Sequence, residues 1–126
     1  MGEKFIEGLE VRKAVLGVEH VERSLNNAND FNMAMQELVT EYCWGEVWTR
    51  PGLERRERSL LNLAMITALN RPHELKLHVR GALNNGLSKE EIKEVFLQCA
   101  IYCGVPAAID SFRTAQQVFD EMEENK

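Results

Sequence analysis

PHELKLHVRGALNNGLSKEEI, residues 72–92, carries one helix, its stop and the start of the next, and it decides the fold class. Pro72 suits a first helical turn, where its fixed φ helps and its missing N–H is not needed. Leu75, Leu77, Val79, Ala82 and Leu83 supply the apolar positions. Gly86, after Asn84 and Asn85, ends the run, because glycine takes the left-handed conformation at a helix C-terminus at little steric cost. Ser88 opens the following helix. Its hydroxyl can accept from the Glu91 N–H while the Glu91 carboxylate reaches back, the reciprocal pair of a capping box. Arg71, Glu74, His78 and Ala82 fall on one line of the first helix at three- and four-residue spacing, so an acid, a base and a cation share a stripe beside a hydrophobic face.

Toward the N-terminus, Phe5, Ile6, Leu9, Val11, Ala14, Val15 and Leu16 recur near helical spacing and predict a helix over 4–16 that Gly17 stops. HVERSLNNAND, residues 20–30, is polar, and reads as a short helical turn and a loop closed by Asn29 and Asp30, with Asp30 as N-cap. A helix from Phe31 to about Trp48 follows, with Phe31, Met35, Leu38, Val39, Tyr42, Cys43 and Val47 as its apolar set and Trp44 and Trp48 on an adjoining line. Thr49-Arg50-Pro51-Gly52 is the clearest break, since Pro-Gly is the preferred centre of a type II turn. From Leu53 to Leu69 the chain is charged, then nearly continuous in Leu, Ala, Met and Ile, which predicts a helix buried almost all round. Beyond the opening stretch, Ile92, Val95, Phe96, Cys99, Ala100 and Cys103 form one face of a helix over 89–103. Gly104-Val105-Pro106 breaks it, and a last helix from about Ala107 uses Ala108, Phe112, Ala115, Val118, Phe119 and Met122 before the acidic tail. No alternating strand pattern appears, so the class is all-α, a single-domain bundle of about six helices.

Length and charge narrow the functions. A chain of 126 residues holds one core rather than two. No apolar run approaches the ~18 residues a membrane span needs, and the charged N-terminus lacks a signal-peptide pattern, so a cytoplasmic home without a membrane partner is expected. A formal charge of −5 argues against nucleic acid as a partner. It leaves room for a small anion, and arginine, the commoner of the two basic residues, holds carboxylates bidentately in partly dry sites. Cys43, Cys99 and Cys103 are odd in number and contain no C-x-x-C, which makes neither a disulfide framework nor a zinc site.

RPGLERRERSLLNLAMITALN (50–70), HVRGALNNGLSKEEIKEV (78–95) and the break IYCGVPAA (101–108), with WGEVWTRPGL (44–53), together resemble the carboxymuconolactone decarboxylase family from about Leu9 to Glu121. The resemblance implies an all-helical subunit in a ring-like homo-oligomer, a trimer or hexamer. It also implies decarboxylation of 4-carboxymuconolactone, a small dicarboxylate lactone, to 3-oxoadipate enol-lactone in the protocatechuate branch of aromatic catabolism, with no cofactor. The wider family includes thiol peroxidases with the motif C-x-x-C-x-x-x-H. His78 is similar in position to that histidine, but Arg71 and Glu74 stand where the cysteines would be, and neither can serve as thiolate attacker or resolving thiol. Two alternatives stay open: a displaced dithiol peroxidase using Cys99 and Cys103, and a non-catalytic oligomeric binding protein.

The implied reaction assigns roles. His78 is the candidate for delivering a proton to carbon, because an imidazole titrates near working pH; otherwise it is a structural histidine bonded to a carbonyl. Glu74 can orient that imidazole or be an exposed helix glutamate. Arg71 can hold a substrate carboxylate or lie on the surface, with Arg50, Arg80 and Arg113 as weaker choices. Trp44 and Trp48 can wall a dry pocket or fill a core or subunit interface. Tyr102 can donate to an oxyanion or be a buried phenol with a backbone partner.

Overall fold

The computed structural model describes residues 2–124. Among them, seven α-helices and one π-helical segment form two compact units, one from the chain up to Arg55 and one from Arg56 onward.

In the first unit, α1 (Glu3–Leu16) ends where Gly17 takes φ +97°, and α2 (Val18–Asn26) follows at once. The short turn expected over residues 20–30 is therefore a helix of nine residues, held on Val21, which is buried. Asp30 does not cap the next helix: the N-cap position is Asn32, which makes no side-chain capping bond. The Asn29 side-chain oxygen accepts from the Phe31 and Asn32 N–H groups at 2.9 and 3.1 Å, and α3 (Met33–Leu38) starts after that turn.

From Val39 to Val47 the helix continues with π geometry, and the Trp48 N–H bonds to the Cys43 carbonyl at 3.0 Å, five residues back. Each wider turn carries side chains away from a 3.6-residue line. Of the apolar face read from the sequence, Phe31 in the preceding turn and Met35 and Leu38 on α3 are exposed; within the π segment Tyr42 and Val47 are exposed, while Thr40, Trp44, Gly45 and, just after it, Trp48 are buried. The π segment lies backbone to backbone against α1. A Cβ on Gly8 would sit 1.9 Å from the Thr40 carbonyl oxygen, and one on Gly45 2.3 Å from that of Lys4.

In the second unit, α4 (Arg55–Leu69), α5 (Pro72–Asn84), α6 (Lys89–Tyr102) and α7 (Val105–Glu124) enclose Leu63, Leu75, Val79, Ala82, Leu87, Ile92, Phe96, Ala115 and Val118. α7 packs on both α5 and α6, and Phe112 meets Phe96 edge-on at 5.4 Å. The capping box at Ser88 is present: Glu91 N–H to Ser88 Oγ at 3.1 Å, Ser88 N–H to Glu91 Oε1 at 3.0 Å. Gly86 takes φ +93° as its place after α5 requires. α7 starts at Val105, two residues before the expected point, because Pro106 is compatible with a first turn.

α4 corrects another expectation. It buries only Ser59, Leu63 and Thr67 and leaves Leu61, Met65 and Leu69 exposed. An apolar run reports what can be buried, and solvent or a partner can face it equally. The two buried hydroxyls are satisfied, Ser59 by Asn85 at 2.9 Å and Thr67 by Ser111 at 2.8 Å.

Candidate active site

α5 is set by the turn before it. Asn70 takes φ +57°, a left-handed conformation that asparagine tolerates better than most residues. The Arg71 N–H then reaches back to the Ile66 carbonyl at 3.2 Å and Pro72 enters the first turn. Leu75 and Val79 anchor the helix in the core, which leaves His78 half-buried and Glu74, one turn earlier, exposed.

Burial pushes the His78 pKa below the ordinary histidine value, with the Glu74 carboxylate opposing. The resting imidazole is therefore neutral at pH 7. Asn62 of α4 brings its side-chain nitrogen to 3.5 Å from His78 Nδ1, an approach at the long end of hydrogen bonding. Sequence reasoning missed Asn62; the available signal was a lone amide inside the apolar run SLLNLAM.

The other expected residues are dispersed. Arg71, exposed at the N-cap of α5, lines a crevice of about 10 Å³ with Asp110 and Thr114, room for a water at most. Arg80 pairs with Glu121 at 3.2 Å and Arg113 with Asp110 at 3.2 Å. Tyr102, at the end of α6, is 78% exposed, so the buried phenol is excluded. Trp44, Trp48 and Arg50 belong to the first unit. The two indoles are buried and stacked, centroids 4.7 Å apart, and Arg50 is exposed.

A groove of about 530 Å³ runs beside α4 and α6 over Leu60, Leu61, Ala64, Val95 and Cys99. Glu90, Glu91 and Glu94 also line it, the wrong sign for a dicarboxylate. All three cysteines are free thiols. Cys99 is buried and its thiol is raised, first by burial and then by Cys103 beside it, opposite to the shift a peroxidatic thiolate needs. Among the described residues, no group of three or more His, Cys, Asp or Glu side chains is placed to hold a metal. No helix among them is long and apolar enough to cross a membrane.

One arginine that sequence reasoning did not weigh is buried. Arg12 of α1 is 6% exposed, and its Nη1 donates to Gln36 Oε1 at 2.8 Å and Thr40 Oγ1 at 3.0 Å. Cys43 lies within electrostatic reach. Burial raises its thiol, while Arg12 and a hydrogen bond from Trp48 pull the other way.

The chain is 47% identical over 120 residues to the 4-carboxymuconolactone decarboxylase of Acinetobacter baylyi, spanning 95% of this chain and 90% of that protein. It is 49% identical over 118 residues to the nitrosuccinic acid decarboxylase of Metarhizium robertsii, spanning 94% and 82%. A 4-carboxymuconolactone decarboxylase of Pseudomonas putida matches at 43% over 44 residues, 35% of this chain and 92% of that sequence. A family model covers residues 34–117, more than half of the chain, and with these likenesses it makes the chain a member of the carboxymuconolactone decarboxylase family.

Proposed function

We propose that this decarboxylase converts 4-carboxymuconolactone to 3-oxoadipate enol-lactone and CO2 in protocatechuate catabolism, without a cofactor. The observation that carries the reading is the half-buried His78 on α5, kept neutral by burial, with Glu74 on its own helix and Asn62 facing it from α4.

The substrate holds its own electron sink. The bond from the γ carbon to the departing carboxylate breaks, and its electron pair passes through the ring double bond onto the lactone carbonyl oxygen as CO2 leaves. The dienolate then takes a proton at carbon. Two substrate carboxylates arriving near His78 raise the pKa that burial had lowered, so the imidazole gains a proton from solvent on binding and yields it to carbon. Glu74 supports the imidazolium, and Arg71, Arg50, Trp44, Trp48 and Tyr102 remain proposed substrate contacts. Nitrosuccinate, the acid in the fungal relative's name, is also a dicarboxylate with an internal sink, its nitro group. The requirements are thus shared: hold one carboxylate, release the other, protonate carbon.

Incubation of purified protein with 4-carboxymuconolactone, and in parallel with nitrosuccinate, tests the reading. CO2 and enol-lactone from the first acid support it; their absence rejects it, and turnover of nitrosuccinate alone reassigns the substrate. We also propose that the chain is one family domain working in the cytoplasm as a homo-oligomer, trimer or hexamer. Exposed Leu61, Met65, Leu69, Leu97 and Ile101 support a subunit surface, and light scattering behind size exclusion measures it.

A further inference from the structure

We infer that the Nε–Nη2 edge of Arg12 is a carboxylate-binding subsite in the first unit. The inference does not rest on the proposed function.

A guanidinium stays charged when buried, and a buried charge without a counter-charge is costly. Arg12 is more than nine-tenths buried, yet its hydrogen bonds go to neutral acceptors, the Gln36 amide and the Thr40 hydroxyl. Among the described residues no carboxylate pairs with it, and its Nε is sealed from solvent without an acceptor. Both protein hydrogen bonds fall on Nη1. The edge left over, Nε with Nη2, is one a carboxylate can engage with two parallel N–H···O bonds. A water can satisfy Nε but cannot neutralise the cation; a carboxylate does both.

The surroundings agree. Thr40 and Cys43 come from the π segment, a helix form frequent at functional sites. Cys43 is exposed, so the cluster reaches the surface there. The stacked Trp44 and Trp48 belong to the same segment and its end, and Trp48 hydrogen-bonds the Cys43 side chain.

Succinate serves as the probe. In thermal unfolding, succinate raises the midpoint of the wild-type protein and sodium chloride of equal ionic strength does not. Arg12→Lys, which keeps the charge and loses the Nε–Nη2 edge, and Arg12→Met both lose that response. Succinate also slows iodoacetamide labelling of Cys43, followed by peptide mass, because a neutralised guanidinium no longer favours its thiolate; exposed Cys103 is the internal control. No midpoint shift and no protection in the wild type, or an undiminished shift in both variants, overturns the subsite. A wild type that binds succinate but does not turn over 4-carboxymuconolactone defeats the proposed function while leaving the subsite standing.

Discussion

His78 on α5 and Arg12 on α1 are both basic groups withdrawn from water, and they meet the cost of burial in opposite ways. The imidazole gives up its proton: burial lowers its pKa, so it rests neutral and can be recharged when anions arrive. Burial lowers the Arg12 pKa too, but a guanidinium remains protonated at any working pH, so the charge stays and waits for a partner. The comparison separates two kinds of buried cationic group, one suited to moving a proton and one suited to holding an anion.

The largest effect expected is at the proton-moving end. His78→Ala lowers kcat by about 10²–10⁴, the range of a lost general acid, with circular dichroism unchanged. A tenfold or smaller loss in a folded variant erases the difference in role between the two groups. Next, the Arg12 cluster depends on α1 and the π segment meeting backbone to backbone. Gly8→Ala drives a methyl against the Thr40 carbonyl and should destabilise the chain by about 3 kcal/mol or more, since backbone must move. Urea unfolding measures it, and a near-neutral result would mean the close approach is not what fixes the cluster.

Ser88→Ala removes the side-chain acceptor of the α6 capping box and should cost about 1 kcal/mol. That value sets the scale of an ordinary local interaction against which the Gly8 effect is judged. Last, the two cations differ in their pH signature. His78 has a folded pKa below its unfolded value of about 6.5, so its contribution to stability is complete above that pH. It drains away as pH falls, because the unfolded chain then binds a proton the folded one resists. Replacing His78 with Asn should flatten this part of the stability profile, whereas Arg12→Met should leave its slope unchanged.

These regions were unequally legible. The opening of α6 was readable because Ser88 and Glu91 are three residues apart and the bonds between them are local. Pro72, Gly86 and Gly17 marked helix ends for the same reason. The apolar row from Phe31 to Val47 misled because it assumed one continuous helix of 3.6 residues per turn: Phe31 lies in a turn before α3, and from Val39 onward π turns carry burial to Thr40, Trp44 and Trp48. Asn62 and Arg12 were invisible because their partners lie 16, 24 and 28 residues away. Exposed Leu61, Met65 and Leu69 show the same limit on α4, where an apolar run did not say what would cover it.

The sequence by itself determined where most helices begin and end, the all-α class and the family, since caps, breakers and motifs act within a few residues of chain. Only the tertiary structure decided that a guanidinium would be buried among neutral acceptors and that an amide would face the imidazole. Desolvation and pairing depend on which distant residues fold together, and no spacing along the chain encodes that.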